Sequence, residues 1–246
     1  MYKKILAFVF IAAALLLTGC GKNRINFPGF VPDEYQDRLG KVVYANNFDG
    51  HSPLFGMVME GPGKAVVQDG KLVMDSPDMA GNLVYWINSQ MPANFMMRFD
   101  FQVQSEDGLC ILFICAAGKD GGSIFEPSLP KRAGNFAEYT DGGINNYLLQ
   151  YYTQNPTHLD DTNSELRKNA GFTLIQKKPA VIERGSTKEY RITVIKDGGR
   201  IIMLADDKVI VDGTDETGPY GSGFIGFRQM KWTKAAYDNI VVRELK

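Results

Sequence analysis

From Lys41 onward the chain is built of short runs in which apolar and polar residues alternate. Phe95, Met97, Phe99, Phe101 and Val103 alternate with Met96, Arg98, Asp100, Gln102 and Gln104. Tyr190, Ile192 and Val194 alternate with Arg191 and Thr193 in the same manner. A strand sends successive side chains to opposite faces, so a period of two predicts strands with one buried face. Between such runs, Gln68-Asp69-Gly70-Lys71, Lys196-Asp197-Gly198-Gly199 and Ala205-Asp206-Asp207-Lys208 carry the residues of hairpin tips. No stretch after the amino-terminal region keeps a helical period; helix is expected to amount to at most a turn or two, within residues 162–169. A succession of strands of this kind predicts an all-β fold, either two antiparallel sheets packed face to face or a jelly roll.

One long segment, residues 116–144, interrupts the pattern. It is rich in Gly and Asp but also holds Phe125, Pro127, Leu129, Phe136 and Tyr139. Disordered linkers lack such aromatics, and a long ordered loop in a compact domain usually serves function. It is expected to cover one rim of a binding cleft.

The amino terminus reads differently. Two lysines precede an almost wholly apolar run, residues 5–17, which leads into Leu17-Thr18-Gly19-Cys20. This is the pattern of a bacterial lipoprotein signal, cut before Cys20, which then carries the lipid. The run is shorter than the ~20 residues that cross a bilayer core. Residues 21–40, with Pro28 and Pro32 and no periodicity, read as a tether. The expected organisation is therefore a signal peptide (1–19), a lipidated tether (20–40) and a single β domain (41–246). The protein is expected outside the cytoplasm, bound to a membrane through Cys20. Gly21, rather than an aspartate, after that cysteine favours the outer membrane.

Composition narrows the chemistry. The formal net charge is −1 and no Lys/Arg block stands out, which argues against nucleic acid as a partner. Cys110 and Cys115, five apart in one apolar run, lie too far apart along a strand to bond and read as buried thiols. With His51 and His158 the only histidines, a multi-histidine metal site is excluded. Nucleophile-elbow, phosphate-loop and Cys-x-x-Cys motifs are absent. So is the Glu-x-Asp-x-x-Glu strand of laminarinase-like glycosidases; Asp160-Asp161-Thr-Asn-Ser-Glu165 lacks the apolar alternation to replace it. The turns around Asp120 and Asp141 are the places where a structural calcium ion would fit by composition. Neither has calcium-loop spacing, so both read as ordinary turns, and no cofactor is expected.

What remains is a polar and aromatic set suited to sugars, whose ring faces stack on aromatics while their hydroxyls bond amides and charged groups. In residues 145–153, a strand reading places Asn146, Gln150 and Tyr152 on one face, with Tyr147, Leu149 and Tyr151 in the core. Trp86 is a candidate stacking ring. Arg167 and Lys168 are suited to neutralising a carboxylate. Arg228 and Gln229 follow a Gly-flanked apolar strand, where a sandwich rim is expected, and Asp100 is the carboxylate on the polar side of its strand.

Gly108-Leu-Cys-Ile-Leu-Phe113, Phe125-Glu-Pro-Ser-Leu129, residues 145–152, Leu166-Arg-Lys168 with Gly171-Phe172, and Gly226-Phe-Arg-Gln-Met230 occur in this order. In these motifs the chain resembles the YesU-like family, a family of unknown function, from about Lys41 onward. The ending Tyr237-Asp-Asn-Ile-Val-Val-Arg-Glu-Leu245 is also similar to the last strand of many lectin-like sandwiches. The resemblance implies a concanavalin/lectin-like jelly roll. It also implies a glycan ligand, since members belong to bacterial systems that break down pectic and related polysaccharides. It points to Asn146, Tyr152, Arg167, Lys168, Arg228 and Gln229, and Asp100 falls at a family aspartate. Where members often have a histidine, this chain has Asn82.

Three readings follow, the last of them a structural envelope protein whose cleft shows no convergent polar residues. In the first, a glycan-cleaving enzyme uses Asp100, Tyr152 and Arg228 as catalytic residues. Asp100 pairs with a second acid in a hydrolase, or Tyr152 is the base of a uronate lyase with Arg228 or Arg167 neutralising the sugar carboxylate. Trp86, Asn146, Gln150, Arg167, Lys168 and Gln229 then bind the oligo- or polysaccharide. In the second, a non-catalytic lipoprotein binds the same glycans without turnover.

Overall fold

A computed structural model describes residues 30–50, 53–77, 82–154 and 162–246. Cys20 and its signal, His51, His158, Asp160 and Asp161 lie outside the described residues.

Two antiparallel sheets face each other. Sheet A runs β13 (Lys208–Thr214), β12 (Arg200–Ala205), β11 (Tyr190–Asp197), β6 (Phe95–Val103), β15 (Thr233–Leu245), β4 (Lys71–Ser76), β3 (Lys64–Gln68), and β1 (Leu39–Asn46) also pairs with β15. Sheet B runs β10 (Thr173–Pro179), β9 (Asn163–Asn169), β8 (Ile144–Gln154), β7 (Gly108–Gly118), β14 (Gly223–Gln229), β5 (Leu83–Met91), β2 (Met57–Glu60). The predicted alternation sets the layers: Phe95, Met97, Phe99, Phe101 and Val103 join Ile192, Val194, Leu112, Tyr151 and Phe227 in the inter-sheet core. The expected hairpin tips are present. Asp69 (φ 51°) and Gly70 (φ 71°) form a two-residue turn between Gln68 and Lys71, and both have the positive φ of a type I′ turn.

Two β-bulges change which side chains reach the core. In β8, Gln150 pairs with Ile111 and Tyr152 with Cys110, leaving Tyr151 as an extra residue. Tyr151 and Tyr152 therefore both face inward. In β7, Ile114 pairs with Tyr147 but Ala117 with Asn145, and Cys115 takes φ 53°. Cys110 and Cys115 are free and buried, and burial pushes both thiols up to about 12.

Residues 163–169, where at most a turn or two of helix is expected, form strand β9. Leu166 is the one apolar residue on the inward face, beside Ser164 and Lys168, while Glu165 and Arg167 occupy the other face, so the alternation has a single apolar member and is hidden in the sequence. Among the described residues the helices are α1 (Asp33–Gln36) and α2 (Ala137–Thr140). Residues 31–39, part of the segment read as a tether, pack against the domain. Tyr35, Val31 and Leu39 pack on Met96, Ile195, Ile202, Leu204 and Leu245 over the outer face of sheet A. One buried tyrosine and two aliphatics are enough to bind this short segment, and they are too sparse to show a period.

Candidate functional site

The outer face of sheet B gathers several predicted residues by register alone. One row across it reads Val58, Trp86, Gly226, Phe113, Leu148, Arg167. The next reads Glu60, Val84, Arg228, Ile111, Gln150, Glu165. Trp86 lies flat over Gly226, where a Cβ would stand 2.4 Å from the indole; no larger residue fits beneath that ring.

This face is covered. Residues 119–143 fold across it and seat Ile124 and Tyr139 among Trp86, Phe113, Ile111 and Leu148. Trp86 and Phe113 stack with centroids 5.8 Å apart, and Phe113 and Tyr139 at 5.4 Å. The expected rim is therefore a cap over the middle of the sheet, because its aromatics bury more area against the flat aromatic row than at an edge. Asn146 holds the cap by donating to the Tyr139 carbonyl at 2.8 Å and accepting from Asn169 at 2.9 Å. Glu138 takes the backbone N–H groups of Ala133 (2.7 Å) and Asn135 (3.0 Å). Burial alone would raise its carboxyl, but the Asn135 amide and these N–H groups outweigh burial and hold it below its ordinary value.

Beneath the cap lies Arg228, fully buried. Its Nη2 donates to the Gly134 carbonyl at 3.0 Å, and its guanidinium sits 4.9 Å from the Tyr139 ring centroid and 5.5 Å from that of Phe136. Nε and Nη1 have no hydrogen-bond partner, and neither does Nε1 of Trp86. Burial lowers the guanidinium to about 10, so it stays charged at neutral pH. Glu60 is committed elsewhere: it accepts from Arg132 at 2.7 and 3.1 Å and from the Tyr139 hydroxyl at 2.9 Å. Burial and this carboxylate raise the Tyr139 phenol, which stays protonated.

Two clefts open beside the cap. The larger, about 680 Å³, is lined by Glu60, Gly61, Asn82, Arg132, Gly134 and Asn135. The smaller, about 210 Å³, is lined by Leu109, Gln150, Thr153, Gln154, Lys231 and Trp232. They adjoin where Asn82 Oδ1 accepts the Lys231 backbone N–H at 2.9 Å. Asn82, the position at which the resemblance expects a histidine, thus stands at the junction of the clefts.

Not all of the predicted residues meet here. Gln150 does, and Arg228 lies below the floor. Asn146 and Trp86 are buried under the cap, which leaves the indole no face for a sugar. Arg167 is bound to Glu165 at 2.6 Å and the Phe172 carbonyl at 2.9 Å, with its guanidinium 4.0 Å from the Phe172 ring centroid. Lys168 pairs with Asp215 at 2.7 Å, on the sandwich side of β9. Tyr152 is moved off the Asn146–Gln150 face by the β8 bulge; its hydroxyl donates to the Glu106 and Ser105 carbonyls at 2.5 and 3.1 Å. Burial pushes that phenol up to about 12. Gln229 points inward, opposite to Arg228 on the same strand, and donates to the Tyr237 hydroxyl at 3.1 Å. Asp100 lies on the outer face of sheet A, held by Arg191 and Asn239 at 2.8 Å each. Asp100 does meet a second acid, Asp238, its register partner on β15, and the Asn239 amide donates to both carboxylates at 2.8 and 3.2 Å, but this pair lies on the outer face of sheet A; Tyr152 and Arg228 lie on opposite faces of sheet B.

The residues that sequence reading missed are Trp232, Glu60, Arg132 and Tyr139. Trp232 sits in a turn closed by Thr233 N–H to the Met230 carbonyl at 3.3 Å, with φ 67°. A bulky ring at a left-handed turn position, where Gly or Asn is usual, was its one available signal.

Similarity to known proteins agrees with the architecture. The chain is 31% identical over 212 residues to the uncharacterized protein YesU of Bacillus subtilis (strain 168), covering 83% of this chain and 96% of YesU. It superposes on a Bacillus subtilis protein of unknown function with a galectin-like fold with a TM-score of 0.79 at 31% identity, covering 84% and 97% of the two chains. It shares its fold with the carbohydrate-binding module CBM66 of Bacillus subtilis, with a TM-score of 0.51, 15% identity, and 77% and 96% coverage. Residues 41–242 match the domain of unknown function DUF1961, and the chain belongs to that family.

Proposed function

We propose that this protein binds carbohydrate without cleaving it, holding a sugar chain along the two adjoining clefts at the edge of the cap on sheet B. The observation that carries this reading is the smaller cleft. There the half-buried Trp232 ring, with the Lys231 ammonium 4.4 Å from its centroid, stands beside Gln150 and Gln154, while the Thr153 hydroxyl donates to the Asn163 carbonyl at 2.7 Å; this supplies a ring with one face to stack on and two amides for sugar hydroxyls. The fold shared with a carbohydrate-binding module supports the same class of ligand. Binding is favoured over turnover by the cleft's titratable groups. Its lining holds one carboxylate, Glu60, already engaged by Arg132 and Tyr139, where hydrolysis needs two. Asn82, at the junction, carries no titratable group.

The lipoprotein signal pattern of residues 1–20 supports a protein held at a membrane surface through a lipid on Cys20.

The test is a glycan array probed with the chain from residue 21 onward, followed by calorimetry on each hit with wild type and Trp232→Ala. Binding to at least one oligosaccharide, weakened at least tenfold by Trp232→Ala and without release of reducing ends, is expected. Absence of binding across neutral and acidic glycans overturns the reading, as does cleavage of a bound chain.

A further inference from the structure

We infer that the smaller cleft selects a sugar bearing an N-acetyl group, its methyl set on Leu109 and Met230 and its amide between Gln150 and Gln154; this rests on the carbohydrate-binding reading above. Two kinds of surface meet in the lining of that cleft. One is hydrocarbon. Leu109 and Met230 pack against the apolar cluster on the outer face of sheet B and also line the cleft. Their backbone groups are spent on one another and on the next residue. Leu109 N–H donates to Thr233 Oγ1 at 2.7 Å, Met230 N–H to the Leu109 carbonyl at 3.0 Å, and Thr233 N–H to the Met230 carbonyl at 3.3 Å. Gly108 beside them adds no side chain and none fits, since a Cβ there would stand 2.2 Å from Thr233 Oγ1. A plain hexose carries a hydroxyl on nearly every ring carbon, and a hydroxyl pressed onto this surface loses water without gaining a partner. A methyl group in that place removes apolar surface from water instead.

The other surface is carboxamide, and it identifies the group that carries the methyl. Gln150 Nε2 lies on the Asn163 carbonyl at 3.4 Å, which leaves Oε1 to accept, and the buried Gln154 brings a second carboxamide to the lining. Two carboxamides match a group that both donates and accepts. An acetamido group offers one N–H, one carbonyl oxygen and a methyl in a single planar unit. A 6-deoxy sugar brings a methyl without the amide, and an acetyl ester lacks the N–H, so each leaves a carboxamide unmatched. The free amine of a deacetylated sugar fits worse still. Among the described residues the lining holds no carboxylate to receive its charge, and it already holds the Lys231 ammonium, 4.4 Å from the Trp232 ring centroid.

Calorimetry with the chain from residue 21 onward compares three kinds of probe. The first are oligosaccharides of N-acetylglucosamine and of N-acetylgalactosamine. The second are the glucose and galactose chains with a hydroxyl in place of each acetamido group, and the third is a fucose oligosaccharide, with a methyl but no amide. Wild type is expected to bind one of the acetamido chains at least tenfold more tightly than its hydroxyl counterpart and than the fucose chain. Leu109→Thr, which sets a hydroxyl where the methyl rests, is expected to bring that affinity down to the wild-type value for the hydroxyl chain. Wild type labelled at its leucine and methionine methyl groups gives a readout that needs no variant: the acetyl methyl is expected to show nuclear Overhauser contacts to Leu109 and Met230. Equal binding of acetamido and hydroxyl chains, or a preference for fucose, overturns the inference and leaves the carbohydrate reading standing. An acetamido preference without contacts to Leu109 or Met230 overturns it too. Binding of none of these probes overturns the inference, and the carbohydrate reading falls with it only where the wider glycan array is silent as well.

Discussion

The outer faces of the two sheets start from the same alternation and end with opposite characters. On sheet A the outward side chains are mostly charged: Asp100 is shared by Arg191 and Asn239, Arg200 is paired with Asp212 at 2.9 Å, and Arg98 is buried with its Nη2 on the Phe30 carbonyl. The amino-terminal segment covers a small apolar patch beside them. On sheet B the outward side chains are Trp86, Phe113, Ile111 and Leu148, and the cap that buries them also buries Arg228 with two unpartnered nitrogens. Exposed ion pairs are worth little and say little about function. A buried cation left incomplete is the less usual arrangement, and it marks the face where a ligand has something to add.

Variants separate these faces by size of effect. Trp86→Ala, which empties the space beneath the cap, is expected to cost about 3–5 kcal/mol of stability in denaturant titration; a loss under about 1 kcal/mol would mean that the cap does not rest on this ring. The tie between the sheets comes next. Asp215, beyond the end of β13, accepts from Lys168 at 2.7 Å and from the Tyr147 hydroxyl at 2.6 Å, both on sheet B. Burial would raise its carboxyl, but Lys168, Tyr147 and Thr217 outweigh burial and hold it well below the usual range. A carboxyl depressed in the fold stabilises fully above its ordinary value of about 3.9, and the contribution drains as pH falls through the depressed value. Asp215→Asn is expected to cost about 2 kcal/mol at pH 7 and to flatten the loss of stability below about pH 4. Unchanged acid dependence would remove Asp215 from that role.

Trp232→Ala is expected to change stability by only about 0.5 kcal/mol, as a surface-turn substitution does, while glycan affinity falls at least tenfold. The contrast with Trp86→Ala, large in stability, divides the chain's two tryptophans between structure and binding. Smallest of all, Asp100→Asn is expected to cost about 1 kcal/mol or less, with glycan affinity unaltered, because its partners are half-exposed on the far sheet. A large loss of binding there would move the site to sheet A.

Much of this was legible in the sequence where period two was carried by several apolar residues, as in β6 and β11, and where turn residues were explicit, as at Asp69-Gly70. It failed where one residue decided the outcome. The extra residue at Tyr151 turned Tyr152 from the ligand face into the core, and a bulge leaves no mark in hydrophobic pattern. Leu166 is the one apolar residue on the inward face of β9. Of the site, Gln150 and Arg228 were identifiable as outward polar residues, whereas Glu60, Arg132 and Trp232 are assembled from distant segments. Asn146 was placed on the right face and Trp86 was read as a stacking ring, but both lie under a cap whose position depends on how residues 119–143 fold back.

The central claim is that a sugar chain lies against Trp232 on the sheet-B side. With only two tryptophans in the chain, the indole N–H resonances of isotope-labelled protein report on it directly during titration with a bound neutral oligosaccharide. The Trp232 resonance is expected to move with saturation and the Trp86 resonance to stay. An unmoved Trp232 resonance at saturating ligand, with shifts at Arg191 and Asn239 instead, would contradict the account.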